Sequence, residues 1–461
     1  MVMVNGTSGG SPVQPASEEP ALKRVMGPRL LLLFVIGNVL GTGIYAISGR
    51  VAGVVGGALW VPFLIAFGIA FLTAFSYVEL VGKYPRAAGA ALYTNRAFRS
   101  PFFTFMIAFA VMCSGITSAS SAARAVSGDY LQEFVTVPAL VVAIGFIVLL
   151  ALVNLRGVAE SLIANVVLTV IELLGLLIVI AIGVGAVLNG AGDPGRLLEF
   201  NAEMGPLLAV TSATALAFFA LVGFEDSVNM AEECHEPAKI FPRGLLLGLS
   251  ITGLIYVLVA LTSSLLVETD VLAASDGPLL EVVRIGAPGF PLILFSAIAI
   301  CAVTNSALMN MMMASRLLYG MSKERIIPRQ FGRVLPVRRT PWVAILFTSM
   351  VAVVLVSTVD IALLGGTTSL LLLVVFGVVN IAVLVLRREE VAHAHFRAPT
   401  AVPVLGAITC FLLASPLTGR PAEEYGIAGI LLVIGLVFWA VNRMILGRVT
   451  VDPAAGSRRA D

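Results

Sequence analysis

The sequence predicts an all-α membrane protein with twelve transmembrane helices, ten of them arranged as two inverted halves. Three observations lead there. Of the 461 residues, 59% are hydrophobic and 12% charged, with a mean hydropathy of +1.00, a balance foreign to soluble domains. Apolar runs of about 20 residues, the length that crosses a hydrocarbon core, recur along the chain. Two of those runs, five spans apart, are interrupted by glycine at membrane depth.

Residues 1–23 are rich in Gly, Ser and Pro and lack an apolar run. They are expected to form a disordered cytoplasmic tail and not a cleavable signal peptide. A transmembrane unit is expected over 24–446 and a second cytoplasmic tail over 447–461. The twelve spans lie near 27–50, 56–80, 101–123, 138–154, 158–189, 206–229, 244–267, 288–316, 341–358, 361–386, 402–417 and 426–446. The fifth, sixth and eighth are long enough to tilt or to contain breaks.

Charge tests the count. With twelve spans both termini share one side of the membrane. Five cations, Arg50, Arg124, Arg196, Arg284 and Arg420, then fall on one face, and the remaining 24 of the 29 Lys and Arg residues fall on the other. Cytoplasmic loops carry that excess. Both termini are therefore expected in the cytoplasm, and the location is the cytoplasmic membrane. The arginines between spans eight and nine need no nucleic-acid or lipid-binding reading, because topology accounts for them.

The four cysteines show no metal or disulfide spacing. Cys113, Cys301 and Cys410 read as buried small hydrophobes, and Cys234 falls in a charged loop. The three histidines, His235, His393 and His395, all fall in expected cytoplasmic loops. No metal site or cofactor is expected. A membrane-embedded enzyme would need a nucleophile–base pair or metal cluster at one depth, and the spans contain no such grouping.

Span one is broken. Gly37, Gly41 and Gly43 fall within seven residues of Ile36–Tyr45, and each Gly costs a helix about 1 kcal/mol relative to Ala. Irregular backbone at membrane depth persists only where protein covers it or where it lines a cavity. Span six reads Ala217-Phe218-Phe219-Ala220-Leu221-Val222-Gly223-Phe224-Glu225-Asp226-Ser227. Two adjacent carboxylates follow its glycine, each costing roughly 2.5–3.5 kcal/mol at a lipid-exposed helix centre. They point inward, or they mark a return to water in the first turn of a new half-helix, where the dipole stabilises acids. Gly37 and Gly41, four apart, also suit simple close packing of helices. The second break at the corresponding position favours an inverted repeat with a binding site between its halves. Repeat one is expected over about 27–189, repeat two over about 206–386, and helices eleven and twelve over about 402–446.

Free N–H groups at a half-helix start bind anions. Gly41, Thr42 and Gly43 offer three, and Thr42 adds a hydroxyl. Glycine lets a ligand approach the backbone closely. Unpaired carbonyls across the break favour a cation. A ligand with a carboxylate and an ammonium a few ångströms apart satisfies both, which describes an amino acid. A sugar does not need two charged ends.

These residues resemble a known family. Gly37–Tyr45 looks like the first-helix motif of the amino acid–polyamine–organocation (APC) transporters, and Phe218–Glu225 like their sixth-helix motif. Ser76-Tyr77-Val78-Glu79-Leu80 with Tyr84-Pro85-Arg86-Ala87-Ala88-Gly89 resembles their loop between helices two and three. Ser315–Met321 resembles the end of their eighth helix. The resemblance implies a LeuT-type five-plus-five inverted repeat and amino acid permease activity by alternating access. It implies that Gly41, Thr42 and Gly43 hold the substrate carboxylate. Carbonyls of Leu40, Phe219, Ala220 and Val222 would hold the ammonium, with Phe219 or Phe224 closing as a gate. Glu79 and Arg316 read as fold and loop-packing residues.

One position departs from the family. Some proton-coupled members carry a lysine in the fifth helix, and the matching stretch Leu168–Gly175 places Glu172 there. An intramembrane carboxyl is usually functional, so Glu172 is expected to couple an ion, a proton before sodium. A neutral acid bonded to a neighbouring helix is the structural alternative. Met112, Cys113, Ser118, Glu225, Asp226, Asn229, Asn305 and Thr367 are the candidates for the gate or side-chain pocket. Asp226 in the pocket would favour a cationic amino acid; Asp226 facing the cytoplasm would leave a neutral one equally open. The expected activity is secondary, proton-coupled transport of an amino acid across the lipid bilayer, with exchange or sodium symport as alternatives. No nucleic acid partner is expected.

Overall fold

Mid-membrane glycines and helix-starting prolines set the architecture. A computed structural model describes residues 26–446 except 86–88, 158–161, 324–325, 337, 339 and 392. The expected tails, 1–23 and 447–461, lie outside the described residues, as does part of the loop motif at Arg86-Ala87-Ala88. Among the described residues every regular element is a helix. Its helices are α1 (Pro28–Val39), α2 (Thr42–Val55), α3 (Trp60–Lys83), α4 (Gly89–Phe98), α5 (Pro101–Ala125), α6 (Ala139–Arg156), α7 (Leu162–Leu188) and α8 (Pro206–Ala217). There follow α9 (Pro237–Leu266), α10 (Thr269–Ala274), α11 (Pro278–Gly286), α12 (Leu292–Lys323), α13 (Trp342–Thr358), α14 (Ile361–Leu386), α15 (Ala401–Ala414) and α16 (Ala422–Leu446).

Among the described residues ten helical segments are long and apolar enough to cross a membrane. The apolar helices α13 and α15 are shorter, at 17 and 14 residues. The protein is a multi-pass membrane protein. Leucine and valine side chains stand exposed along α6, α7 and α9, among them Leu149, Leu174 and Leu254. Such an apolar band is what lipid covers.

Local chemistry explains the helix ends. Ser100 caps α5, accepting from the Phe103 N–H at 3.4 Å, with Pro101 in the first turn. Asp360 caps α14, accepting from the Leu363 N–H at 3.0 Å. Helix α9 begins at Pro237, seven residues before the expected span, because its proline-led first two turns carry Lys239 and Arg243, which hydropathy excludes. The short helices α4, α10 and α11 were not anticipated, being too short or too polar to register as spans.

Helix α14 is buried along almost its full length and packs against α5 and α15. Helix α5 also packs on α12, and α3 on α9. Around this centre the two broken segments cross. Loop packing at one end is tied by Glu79 on α3. Its carboxylate accepts twice from Arg387, at 2.7 Å each, and from the Ala398 N–H at 2.9 Å. Lys83 donates to the carbonyls of Leu386 and Glu389 at the end of α14. These contacts agree with reading Glu79 as a fold residue.

Candidate functional site

Each break turns on one glycine. Helix α1 ends at Val39 and α2 begins at Thr42, with Gly41 between them at φ 128°. Helix α8 ends at Ala217 and passes into one 3₁₀ turn, Phe218–Leu221. Val222 is then extended, and Gly223 sits at φ 118° before a second 3₁₀ segment, Phe224–Glu233. An L side chain at either glycine would be strained.

The breaks also touch. A Cβ on Gly43 would collide with the backbone of Ala220, and one on Gly223 would collide with the Asn38 carbonyl. Gly41 lies against Ser306 of α12, whose Cβ would stand 2.9 Å from an added methyl. Glycine is therefore required at the crossing for proximity as well as for conformation. Tyr256 of α9 donates to the Val39 carbonyl at 2.6 Å, and Tyr130 donates to the Tyr45 carbonyl at 2.8 Å, fixing both ends of the first break.

A small cavity of about 30 Å³ lies at the crossing, with Thr42, Gly43, Phe219, Ala220, Val222 and Asn305 among its lining residues. That volume holds a few water-sized groups. The N–H groups of Thr42 and Gly43 stand in the first turn of α2, where no intrahelical acceptor exists. The Thr42 hydroxyl is buried and has no hydrogen-bond partner among the described residues. Opposite, the Phe219 carbonyl accepts from the Val222 N–H at 3.3 Å, which occupies one of its two lone pairs. The cavity thus holds an N–H and hydroxyl end and a carbonyl end, formed by different segments.

Glu172 reaches this cavity through one intermediary. It lies on α7 with no exposure, and its Oε1 accepts from Asn305 Nδ2 at 3.3 Å. Its Oε2 has no partner among the described residues. Tyr45 donates to the Glu172 backbone carbonyl at 3.0 Å, holding α7 against α2.

Two further cavities adjoin the first. One, of about 50 Å³, shares Val222, Asp226 and Asn310 with it. The other, of about 550 Å³, shares Asn38, Asp226 and Met309 and is lined by Met230, Met312 and Met313. Asp226 lines all three. Its neighbour Glu225 is buried and accepts from the Gly223 N–H at 2.9 Å, so it acts as a helix-start acid.

Of the residues singled out from sequence, Thr42, Gly43, Ser118, Phe219, Ala220, Val222, Asn305, Glu225, Asp226 and Asn229 meet at these cavities, while Cys113 and Thr367 line none of the three. Leu40 and Gly41 flank the crossing without lining the three cavities. Phe224 packs between Tyr77 and Phe376, with ring centroids 5.8 and 5.2 Å away, and lines none of the three. Met112 is buried in the core and also lines none. A gating or pocket role for Phe224 and Met112 thus has no geometric support. Sequence reading missed Asn38, Ser306, Asn310 and Tyr77. Asn305, Ser306 and Asn310 form a polar patch within an apolar span, and that patch was the available clue. Among the described residues there is no His, Cys, Asp and Glu group that could hold a metal.

Comparison with known proteins then settles the family. The amino acid permease family model matches residues 29–443. The chain belongs to the amino acid permease family. This is the APC kinship that the motifs suggested, and the match extends it well past the last of them, Ser315–Met321. An uncharacterised transporter of Mycobacterium tuberculosis is 27% identical over 452 residues, covering 97% of this chain and 98% of that protein. A branched-chain amino acid permease of Bacillus subtilis is 26% identical over 425 residues, covering 87% and 90%. A methylthioribose transporter of the same organism is 27% identical over 427 residues, again covering 87% and 90%. These relatives are transporters, and their names span more than one substrate chemistry.

Proposed function

We propose that this permease performs secondary active transport of an amino acid across the cytoplasmic membrane by alternating access, coupled to protons. The observation that carries the reading is the crossing of two broken helices at one cavity, with unbonded N–H and hydroxyl groups at one end and carbonyls at the other. Gly41, Thr42 and Gly43 bind the substrate carboxylate. Carbonyls of the Phe219–Val222 turn and the end of α1 bind the ammonium, and Phe219 is the aromatic that closes over the substrate. The fold is read as a LeuT-type arrangement of twelve helices. Segments α1–α2 to α7 form one repeat, α8 to α14 the inverted second, and α15 and α16 are appended.

Glu172 is the proton site of this reading. Asn305 lines the substrate cavity and donates to one Glu172 oxygen, leaving the other as the place for a proton. Filling the cavity shifts Asn305 and so changes what stabilises the Glu172 charge, which links substrate to proton.

The charge asymmetry of the loops supports cytoplasmic termini. On that orientation the 550 Å³ cavity, bordered by Glu233 and Arg316, is the cytoplasmic vestibule. The outer end is closed. Arg50 of α2 pairs with Asp276 at 2.6 Å, and Asp129 accepts from Ser275 Oγ and the N–H groups of Asp276 and Gly277 at 2.7–3.1 Å. The state described is therefore read as inward-facing.

The test is uptake into proteoliposomes against a panel of amino acids, with proton and sodium gradients imposed separately. Accumulation driven by a proton gradient is expected. Uptake that requires internal amino acid and no gradient would make the protein an exchanger, and sodium-driven uptake would replace the proton role of Glu172 with help in binding a cation.

A further inference from the structure

The side cavity next to the crossing has a chemistry of its own. Its wall on the second break carries Glu225 and Asp226, and α3 contributes Tyr77. Asp226 makes no ion pair or hydrogen bond through its carboxylate among the described residues. Tyr77 is 1% exposed, borders this cavity, and its hydroxyl likewise has no partner among the described residues. Asn310 spends its amide N–H on the Ser306 carbonyl at 2.9 Å, leaving its own carbonyl oxygen free. Carboxylates accept only, the Asn oxygen accepts, and the tyrosine hydroxyl can accept. Besides the neutral Asn229 amide and a Ser114 hydroxyl that already donates to the Val111 carbonyl, the polar lining is made of acceptors, two of them acids, and no Lys or Arg faces them.

Its shape suits the end of a side chain. It opens on the substrate cavity through Val222, Asp226 and Asn310. Gly115 and Ala314 also line it, and a Cβ on Gly115 would come within 3.1 Å of the Asn310 backbone carbonyl. The small residues leave about 50 Å³, enough for a group the size of a few waters. An ammonium or guanidinium meets both demands: it has several donors and no acceptor, and it brings positive charge to Asp226, whose carboxylate has no partner, and to its neighbour Glu225.

We infer that this side cavity is the subsite for a positively charged substrate side chain, and that the transported amino acids are cationic. Asp226 is the specificity-determining group, while Glu225 holds the Gly223 turn and adds negative charge. The inference rests on the proposed amino acid site at the crossing and extends it by naming the substrate class. A neutral aliphatic side chain would leave Asp226 and Tyr77 desolvated without partners, at a cost in affinity.

The experiment uses pairs that differ mainly in charge. Full-length protein in proteoliposomes is assayed for uptake of labelled arginine, lysine and leucine, with unlabelled citrulline and norleucine as competitors. Arginine is expected to compete at least tenfold better than citrulline, and lysine at least tenfold better than norleucine. Asp226→Asn should shrink both ratios at least fivefold, and Asp226→Glu should retain most of the preference. Variants are compared only as monodisperse preparations, and the wild-type ratios test the inference without them. Uptake of leucine with charged and neutral members competing equally would overturn the inference while leaving amino acid transport standing. No uptake of any amino acid would overturn both.

Discussion

Gly43→Ala adds a single methyl group where the two broken helices cross. The new Cβ would stand 2.7 Å from the Ala220 Cβ and 3.0 Å from the Ala220 nitrogen, with the Ala220 Cα nearer still. Ordinary contact begins near 3.4 Å, so the Cβ contact alone requires a separation of 0.7 Å and the nearer Cα requires more. The obstacle is backbone, not the tip of a flexible side chain, so no rotamer relieves it. Overpacking of this kind costs about 1–3 kcal/mol. Spent on the substrate cavity, that weakens affinity by about five- to 150-fold; spent on the fold, it lowers the melting temperature. The matched control is Gly68→Ala, where an added Cβ meets nothing within 4 Å. Concentration-dependent uptake in proteoliposomes and thermal unfolding of the purified protein, measured for both variants, separate the two routes. Uptake within twofold of wild type together with an unchanged melting temperature for Gly43→Ala would refute the crossing as the site.

Three other outcomes are expected. Glu172→Gln removes the proposed proton acceptor but keeps the bond from Asn305 within reach, so it should flatten the dependence of uptake on external pH; an unchanged profile assigns Glu172 to packing. Arg387→Ala leaves Glu79, whose side chain is 3% exposed, without its bidentate partner. A loss of about 3–5 kcal/mol is expected, read as a lower melting temperature, and wild-type stability would remove the pair from the account of loop packing. Burial, with Glu233 nearby, pushes the Cys234 thiol up to about 12. Its thiolate fraction at pH 8 is then on the order of 10⁻⁴, so peptide mapping after brief maleimide treatment should find Cys234 unmodified in the native protein and modified in detergent-denatured protein.

The fold was legible to the extent that lipid imposes it. A segment facing hydrocarbon must be apolar for its whole length, so α3, α5, α6, α13 and α14 lie within a few residues of the expected spans. That constraint lapses at the membrane boundary. The start of α9 at Pro237 and the short helices α4, α10 and α11 answer to proline, to loop length and to packing on neighbours, none of which has a hydropathy period. The breaks were legible for a different reason. Positive φ at membrane depth needs glycine, and Gly41 and Gly223 could hardly be anything else. The side-chain pocket was not legible, because a helix shows a cavity only a few of its faces and the register cannot be read from an apolar background. Phe224 and Phe219 illustrate this: both are buried aromatics of one motif, five residues apart. Only the turn at Val222–Gly223 decides that Phe219 borders the cavity while Phe224 stacks against Tyr77 and Phe376. The same turn carries Asp226 onto the line where all three cavities meet. A single turn at Val222–Gly223 therefore separates the aromatic that borders the crossing cavity from the acid that stands where the three cavities meet.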